Sequence, residues 1–377
     1  MITGVYKKNI DDVYKTPIVQ QTAFWSEVKR KSGLKTAAID FNVRKNEIVP
    51  DPGDNCNVKG DVLIVIRKID NNNSIAYVPY GPEIEPEEQK QGIFLEELAE
   101  SLRSFLPKDC IMVRFDLVWE SYWANEPDFF TSDGRWMGPP ENSVQEIRFN
   151  FSTINWNFRK TFSNILPSNT IFIDLKKSND DLLRSMKKKT RYNISLSEKK
   201  GVKVRIAGIN ELDTWYRLYS ETSSRNRLHL HGIDYFRNIL SVDATNTQSP
   251  AEVILLIAET DSKPLASMFL VLSGNRGTYL YGASSSENRN MMASYALQWK
   301  AMNIAKEMGY NEYDMFGVAP ASDPDHPLYG LFRFKSGFGG EMYHTLGCWD
   351  YPFDQEKYNT FRSIELTQKG YCKSQTN

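Results

Sequence analysis

The chain has 377 residues, 41% of them hydrophobic and 25% charged, a balance that excludes a disordered or collagen-like chain. Its 46 Lys+Arg stand against 47 Asp+Glu, a formal net charge of −1, which excludes a uniformly basic nucleic-acid coat but leaves room for a local patch. At roughly 150 residues per domain, the length predicts two domains or three.

In chain order, turn signals at Asp51–Asp54 and Asp70–Ser74 bracket the β-branched run Val62–Ile66, which predicts a strand. Ile75–Val78 predicts another, ending at Tyr80-Gly81-Pro82. Ile93, Phe94, Leu98, Leu102 and Phe105 then recur at helical spacing, and a short strand, Ile111–Phe115, follows. The second half repeats this order. Val253–Glu259 and Ala266–Leu272 flank the polar turn Thr260–Lys263 as in a hairpin, and Thr278–Tyr281 is a further strand. A helix with Tyr295, Trp299, Met302 and Ala305 on one face ends near Gly309, before Glu312–Phe316. Strands, a helix and a strand thus occur twice, which predicts two α/β domains of similar topology in tandem, with a sheet in each.

Between the halves, Ser178–Asp181 reads as a capping-box-like helix start, Leu182, Leu183 and Met186 form an apolar stripe, and Gly201 closes the helix. From Lys187 to Arg205 there are eight basic residues and one acidic one, Glu198. A solvated helix face and a phosphate-bearing partner both account for such a run.

Four cysteines (Cys56, Cys110, Cys348, Cys372) lack CxxC spacing, so neither a disulfide framework nor a zinc knuckle is indicated. His229 and His231 have no accompanying HExxH-type carboxylate, so no metal site is expected. The first eight residues lack a signal-peptide core, and apolar runs such as Val62–Ile66 fall far short of the ~18 residues of a membrane span. The expectation is a soluble cytoplasmic protein.

Five segments stand in a telling order: Gln21-Thr-Ala-Phe-Trp25-Ser-Glu-Val-Lys29; Tyr77-Val-Pro-Tyr-Gly81-Pro82; Arg114-Phe115-Asp116; the block Leu182–Val202 with Lys189-Thr-Arg191-Tyr-Asn193; and Gly330-Leu-Phe-Arg-Phe334-Lys335-Ser-Gly-Phe-Gly339-Gly340. Together they resemble the motifs of the FemABX family, peptidyltransferases that add amino acids from aminoacyl-tRNA to peptidoglycan precursors. The resemblance covers most of the chain. It implies an α/β (α+β) fold of two tandem acetyltransferase-like (GNAT-type) domains sharing a cleft, residues 1–160 and 161–343, with 344–377 docking back on the first. The stretch Glu211–Pro250 holds no sustained heptads, which points to the FemX-like branch without a coiled-coil arm.

By resemblance, Lys29 contacts a precursor phosphate, and Trp25, Tyr77, Tyr235, His231 and Tyr281 line the precursor cleft. His231 marks a departure: some FemX-like enzymes carry a phosphate-binding arginine there, and a histidine supplies less positive charge at neutral pH. Ile111 likewise stands where such an enzyme has a tyrosine. Asp116 matches the position proposed as catalytic base or amine-positioning group; pairing with the nearby Arg114 is the structural alternative. Lys335 matches the lysine beside the reacting carbonyl, a candidate for oxyanion stabilisation; an exposed pair with Arg333 is the plainer reading. Lys187, Lys188, Lys189 and Arg191 are the candidate tRNA contacts.

No glycine occurs from Ala283 to Glu307, and Met291 and Met292 stand where acyl-CoA transferases of this fold place a glycine-rich pyrophosphate loop. That argues against coenzyme A, and no cofactor is expected. The reading is transfer of an amino acid from aminoacyl-tRNA to the peptide amine of a precursor, UDP-linked or lipid-linked. A lipid-linked acceptor implies peripheral work at the membrane face. An acyltransferase of the same fold with another donor or acceptor, and a nucleic-acid-binding protein using 187–205, remain open.

Overall fold

The computed structural model describes residues 1–48, 56–226 and 230–367; the turn signal at Asp51–Asp54, His229, Cys372 and the last ten residues of the tail lie outside the described residues. The strands are β1 (Ile2–Lys8), β2 (Lys35–Arg44), β3 (Asn57–Lys68), β4 (Ser74–Val78), β5 (Cys110–Glu120), β6 (Arg159–Lys160), β7 (Asn169–Asp174), β8 (Lys203–Ala207), β9 (Ala251–Thr260), β10 (Lys263–Ser273), β11 (Arg276–Ser284), β12 (Glu312–Asp314) and β13 (Glu341–Pro352). The helices are α1 (Ala23–Lys31), α2 (Lys45–Ile48), α3 (Glu88–Leu102), α4 (Asn142–Asn150), α5 (Asn179–Ser185), α6 (Lys188–Lys199), α7 (Leu212–Asn226), α8 (Ile233–Ser241), α9 (Ala293–Glu307), α10 (Tyr329–Lys335) and α11 (Gln355–Thr367). Among these residues no helix is long and apolar enough to cross a membrane.

Both halves share one local order, in a mixed α/β fold. β3 and β4 are antiparallel, and α3 crosses from β4 to the parallel β5. In the same way β10 and β11 are antiparallel, and α9 crosses to the parallel β12. The β9–β10 hairpin turns at Asp261 and Ser262, both at positive φ (46° and 60°), as a two-residue hairpin of matching twist requires.

The sheets are not separate, and this corrects the sequence expectation. β13 pairs through Glu341–His344 with β7 and through Thr345–Pro352 with β5. The ladder therefore runs β1-β2-β3-β4-β5-β13-β7-β12-β11-β10-β9-β8, with β6 beside β13. The strand shifts register between Thr345 and Gly347. Gly347 sits there at φ 66°, and a Cβ on it would collide with the Asn164 side chain, so only glycine fits.

Strand alternation distributes side chains to distinct cores. On β10, Ala266, Met268, Leu270 and Leu272 face a core under α9, while Phe269 and Val271 face another under α7 and α8. On β3, Val62 and Ile64 join the first-half core, and Leu63 points to the opposite side. There it meets Phe24, Trp25 and Val28 of α1 together with Trp215, Phe236 and Phe269 of the second half. This shared core holds the halves together. Hydrogen bonds from Ala23 N to Ser249 Oγ (2.9 Å) and from Ser273 Oγ to Thr16 O (2.8 Å) reinforce it.

α11 covers the back of β4 and β5, where Tyr358 and Phe361 pack on Ile75, Ile111 and Met112. Ile111 is thus a core residue here. Arg114 spans the layers: its guanidinium bonds Asp350 of β13 (2.6 and 2.8 Å) and Glu365 of α11 (2.7 and 2.8 Å). It does not pair with Asp116, and Asp116 lies inside the eleven-residue strand β5 rather than at a strand end. Breaking a buried pair from one side leaves an uncompensated charge. Arg114→Met is therefore expected to lower stability by about 3–5 kcal/mol, read as a shifted urea midpoint with unchanged slope.

Candidate active site

The motif residues meet because Gln21 sews them together. Its side-chain amide donates to Pro79 O (2.6 Å) and Leu63 O (3.3 Å) and accepts from Leu63 N (2.7 Å). This fixes the start of α1 against β3 and the Tyr77–Pro82 loop. Thr22 then caps α1, accepting from Trp25 N (3.1 Å). Trp25 faces the shared core, and Lys29 lies one helical turn further on.

Lys29 is not a solvated lysine. Its ammonium lies 4.5 Å from the Trp25 ring centroid and 5.2 Å from that of Tyr235 on α8. Burial, and then the neighbouring Arg67, push its pKa down to about 7. Arg67, at the end of β3, stacks its guanidinium 4.9 Å from the Tyr77 ring. The Tyr235 and Tyr281 hydroxyls are 2.8 Å apart, and His231 stacks on Tyr235 at 4.4 Å. Trp25, Lys29, Tyr235, His231 and Tyr281 thus form one aromatic cluster between the halves, and Arg67 joins Tyr77 to it. Arg67 was missed by sequence reasoning. Its one available signal was its place on β3, two residues beyond the paired Val65–Tyr77 position.

Tyr77 links this cluster to the second. Its hydroxyl donates to Asp116 Oδ2 (2.9 Å), which also accepts from Leu166 N (2.9 Å). Asp116 Oδ1 is buried without a hydrogen-bond partner. Asp116 itself is 0% exposed, and burial raises its pKa against the pull of Leu166 N, Tyr77, Cys348 and Lys160. Cys348 is its partner across the ladder. Lys160 donates to Leu346 O (2.8 Å) and Cys348 O (3.0 Å), and burial pushes its pKa down to about 8.

The segment after Leu166 leads to Lys335. Pro167 O accepts from the Tyr80 hydroxyl, and the Tyr80 ring meets Phe316 edge-on at 6.3 Å. Lys335, at the end of α10, is 4% exposed. It donates to Met315 O (2.6 Å), Phe316 O (2.8 Å) and Gly317 O (2.8 Å). Burial pushes its pKa down to about 7, while Asp314 favours the charged form. All three ammonium protons are thus engaged by carbonyls. As a direct oxyanion donor Lys335 is already occupied, a correction to its expected role. Arg333 is exposed, so the two cations are not an alternating surface pair.

The basic segment also differs from expectation. It is two helices, α5 and α6, broken at Met186–Lys187. Arg191 folds back onto the C-terminal carbonyls of α5, bonding Leu183 O (3.3 Å), Arg184 O (3.4 Å) and Met186 O. Its guanidinium therefore caps a helix, which explains the break and engages a candidate tRNA contact. Lys187, Lys188 and Lys189 remain exposed at the start of α6, where the helix dipole disfavours cations. This end docks beside Lys335: Lys187 N donates to Gly337 O (2.9 Å) and its ammonium to Ser336 Oγ (3.2 Å). Gly337 permits the approach, since a Cβ there would strike Thr190 Oγ1. Among the described residues no His, Cys, Asp and Glu cluster has the geometry of a metal site.

The sequence model of the FemAB family matches residues 12–242 and 241–365. The chain belongs to the FemAB family. Relatives include the lipid II:glycine glycyltransferase of Staphylococcus epidermidis, 24% identical over 282 residues, or 59% of this chain and 67% of that protein. The Staphylococcus aureus protein of the same name is 25% identical over 265 residues, covering 53% of this chain and 62% of its own length. The chain thus spans about two thirds of these relatives. A crystal structure of FemX superposes with a TM-score of 0.70 at 17% identity, covering 96% of this chain and 100% of that one. The fold of this FemAB member is therefore that of FemX.

The cation pair gives the cleft a pH dependence with a definite sign. Lys29 titrates near 7, and only its ammonium form attracts an anion, so binding weakens as pH rises through that value. Sulfate, whose own charge is constant in this range, is expected to bind more weakly at about pH 9 than at about pH 6 by calorimetry. Lys29→Met is expected to flatten that dependence.

Proposed function

We propose that this chain transfers an amino acid from aminoacyl-tRNA to the peptide amine of a peptidoglycan precursor. One observation carries the reading. Lys29 and Arg67, a cation pair walled by aromatic rings, connect through Tyr77 to the buried carboxylate Asp116. Two like charges in a partly dry cleft repel each other and favour an anionic ligand, and a diphosphate-linked precursor supplies one. Arg67 supplies a second positive charge beside Lys29. Family membership and the relatives named for lipid II support the acceptor class; the exposed lysines beside Lys335 support a phosphate-rich donor. We assign the tandem acetyltransferase-like domains to residues 1–160 and 161–343, with the tail on the first, and the protein's place of work to the cytoplasm.

In this scheme the acceptor amine attacks the ester carbonyl, the carbonyl oxygen becomes an oxyanion, and the ester C–O bond breaks. The amine proton leaves with the tRNA 3′ oxygen. Positioning supplies much of the rate, because a bound amine and ester react as one molecule. The Lys335 charge stabilises the oxyanion at one remove, through the backbone it holds. Asp116 is too enclosed to meet the amine directly. We assign it the orientation of Tyr77 and of segment 164–167.

The test is transfer of labelled amino acid from aminoacyl-tRNA to a purified lipid-linked or UDP-linked precursor; no transfer to either overturns the reading. Asp116→Asn keeps the acceptor oxygen that Tyr77 needs. It is expected to lower kcat about tenfold and leave the pH–rate profile in place, whereas a true general base would cost about 10²–10⁴ and remove a limb. Replacing Lys187, Lys188 and Lys189 with alanine is expected to weaken tRNA binding. The slope of log K against log salt should fall by roughly 0.7–0.9 for each phosphate that is no longer neutralised; superimposable salt curves would return α6 to a solvated face.

A further inference from the structure

α4 presents its apolar side to water. Its inner face is Gln145 and Phe149, both buried, whereas Val144, Ile147 and Phe151 follow one another along the outer face at helical spacing and are exposed. A surface helix ordinarily shows the reverse pattern. The loop that follows adds Ile154 and Trp156, and the strand after it leads to Phe162, all exposed. Phe151 and Ile154 are 81% and 80% exposed.

This display is built rather than loose. Glu96, buried on α3, accepts from Ile154 N (2.6 Å) and Asn155 N (3.0 Å) at the loop tip. The Asn150 side chain accepts from Phe158 N (3.0 Å) and donates to Phe158 O (3.0 Å). Thr153 closes the turn onto Asn150 O (2.8 Å). The fold thus commits a buried carboxylate and a buried amide to holding apolar side chains outward. Singly exposed apolar residues need no explanation, but a contiguous set does.

We infer that this face docks on the headgroup–acyl boundary of a lipid bilayer. A tryptophan and phenylalanines beside aliphatic tips suit that boundary, where a ring can be half apolar and half wet. The charges at its rim also fit. Arg159 bonds the Trp156 carbonyl (2.9 Å), and the Arg362 guanidinium lies 4.5 Å from the Phe162 ring centroid, so cations flank the aromatics where phosphate headgroups would lie. Of the nearby carboxylates, Glu96 is engaged by the loop amides and Glu146 by Lys160 N (2.9 Å) and Arg362 (3.9 Å), while Glu141 is exposed at the start of α4. The face is also linked to the candidate site along the chain, since Phe162 is four residues before Leu166, whose N–H holds Asp116. Docking there would bring the Asp116 cluster within a short reach of a lipid-linked acceptor; this use of the surface rests on the transferase reading, though the surface itself does not.

The test uses the full chain and vesicles of phosphatidylglycerol and phosphatidylethanolamine, with no precursor present. The parent protein is expected to co-sediment with the vesicles. Phe151→Ser combined with Ile154→Ser is expected to bind at least about tenfold more weakly, since two large side chains no longer leave water, while its urea midpoint stays unchanged. That double variant should transfer to a water-soluble UDP-linked precursor at the parental rate and lose activity on a vesicle-embedded acceptor. Vesicle binding by the parent without transfer to any acceptor would support the surface and remove the transferase reading. Absence of parental binding, or equal binding by the double variant, overturns the inference. So does a parent that sediments as a dimer which the double variant dissociates, since the face would then belong to a second copy.

Discussion

One strand serves two sheets, and the site depends on it. β13 gives its first four residues to β7 and the rest to β5, so the halves cannot slide past each other without breaking its ladder. The same strand sets Cys348 opposite Asp116 and supplies carbonyls to Lys160. Asn164 accepts from Cys348 N (2.9 Å), which tethers the segment that bonds Asp116 on one side and meets Tyr80 on the other. Asp116 belongs to the first sheet and Lys335 to the second half. Their connection through 164–167 follows from this one shared strand.

The electrostatics of the site rest on a second constraint, the burial of its cations. Lys29, Lys160 and Lys335 all have depressed pKa values, with burial as the leading cause in each. Their surroundings differ. Lys160 and Lys335 bond backbone carbonyls, which retain the charge and lock the lysine in place. Lys29 has ring faces instead, a softer partner that leaves its protons available to a ligand. Arg67 lies close enough to oppose the charged form of Lys29. Two of the lysines are bonded to backbone, and the third lies against rings.

The strands around Val62–Ile66 and Ala266–Leu272, the α3 and α9 patterns and the turn at Thr260–Lys263 were all legible in the sequence, because each is a local consequence of side-chain character, period or turn chemistry. The resemblance alone named Trp25, Tyr77, Tyr235 and Tyr281 together. What the chain order did not carry was who meets whom. Arg114 looks like the partner of Asp116, two residues away, yet it turns to Asp350 and Glu365 because those carboxylates approach from β13 and α11. Arg191 reads as one more cation in a basic run, until the break between α5 and α6 gives it carbonyls to cap.

The sequence by itself determined the family and the repeated strand–helix–strand order with its main elements, since these depend on spacing within a few residues and on motifs read in order. Only the tertiary structure decided that the sheets share a strand, that Arg67 joins Lys29, and that Asp116 is sealed while Lys335 is fully bonded. The physical reason is the same in each case. Burial, hydrogen-bond satisfaction and charge pairing are properties of neighbours far apart in the chain, and a lysine or aspartate carries no local mark of whether its partner will be water, a carbonyl or another charge.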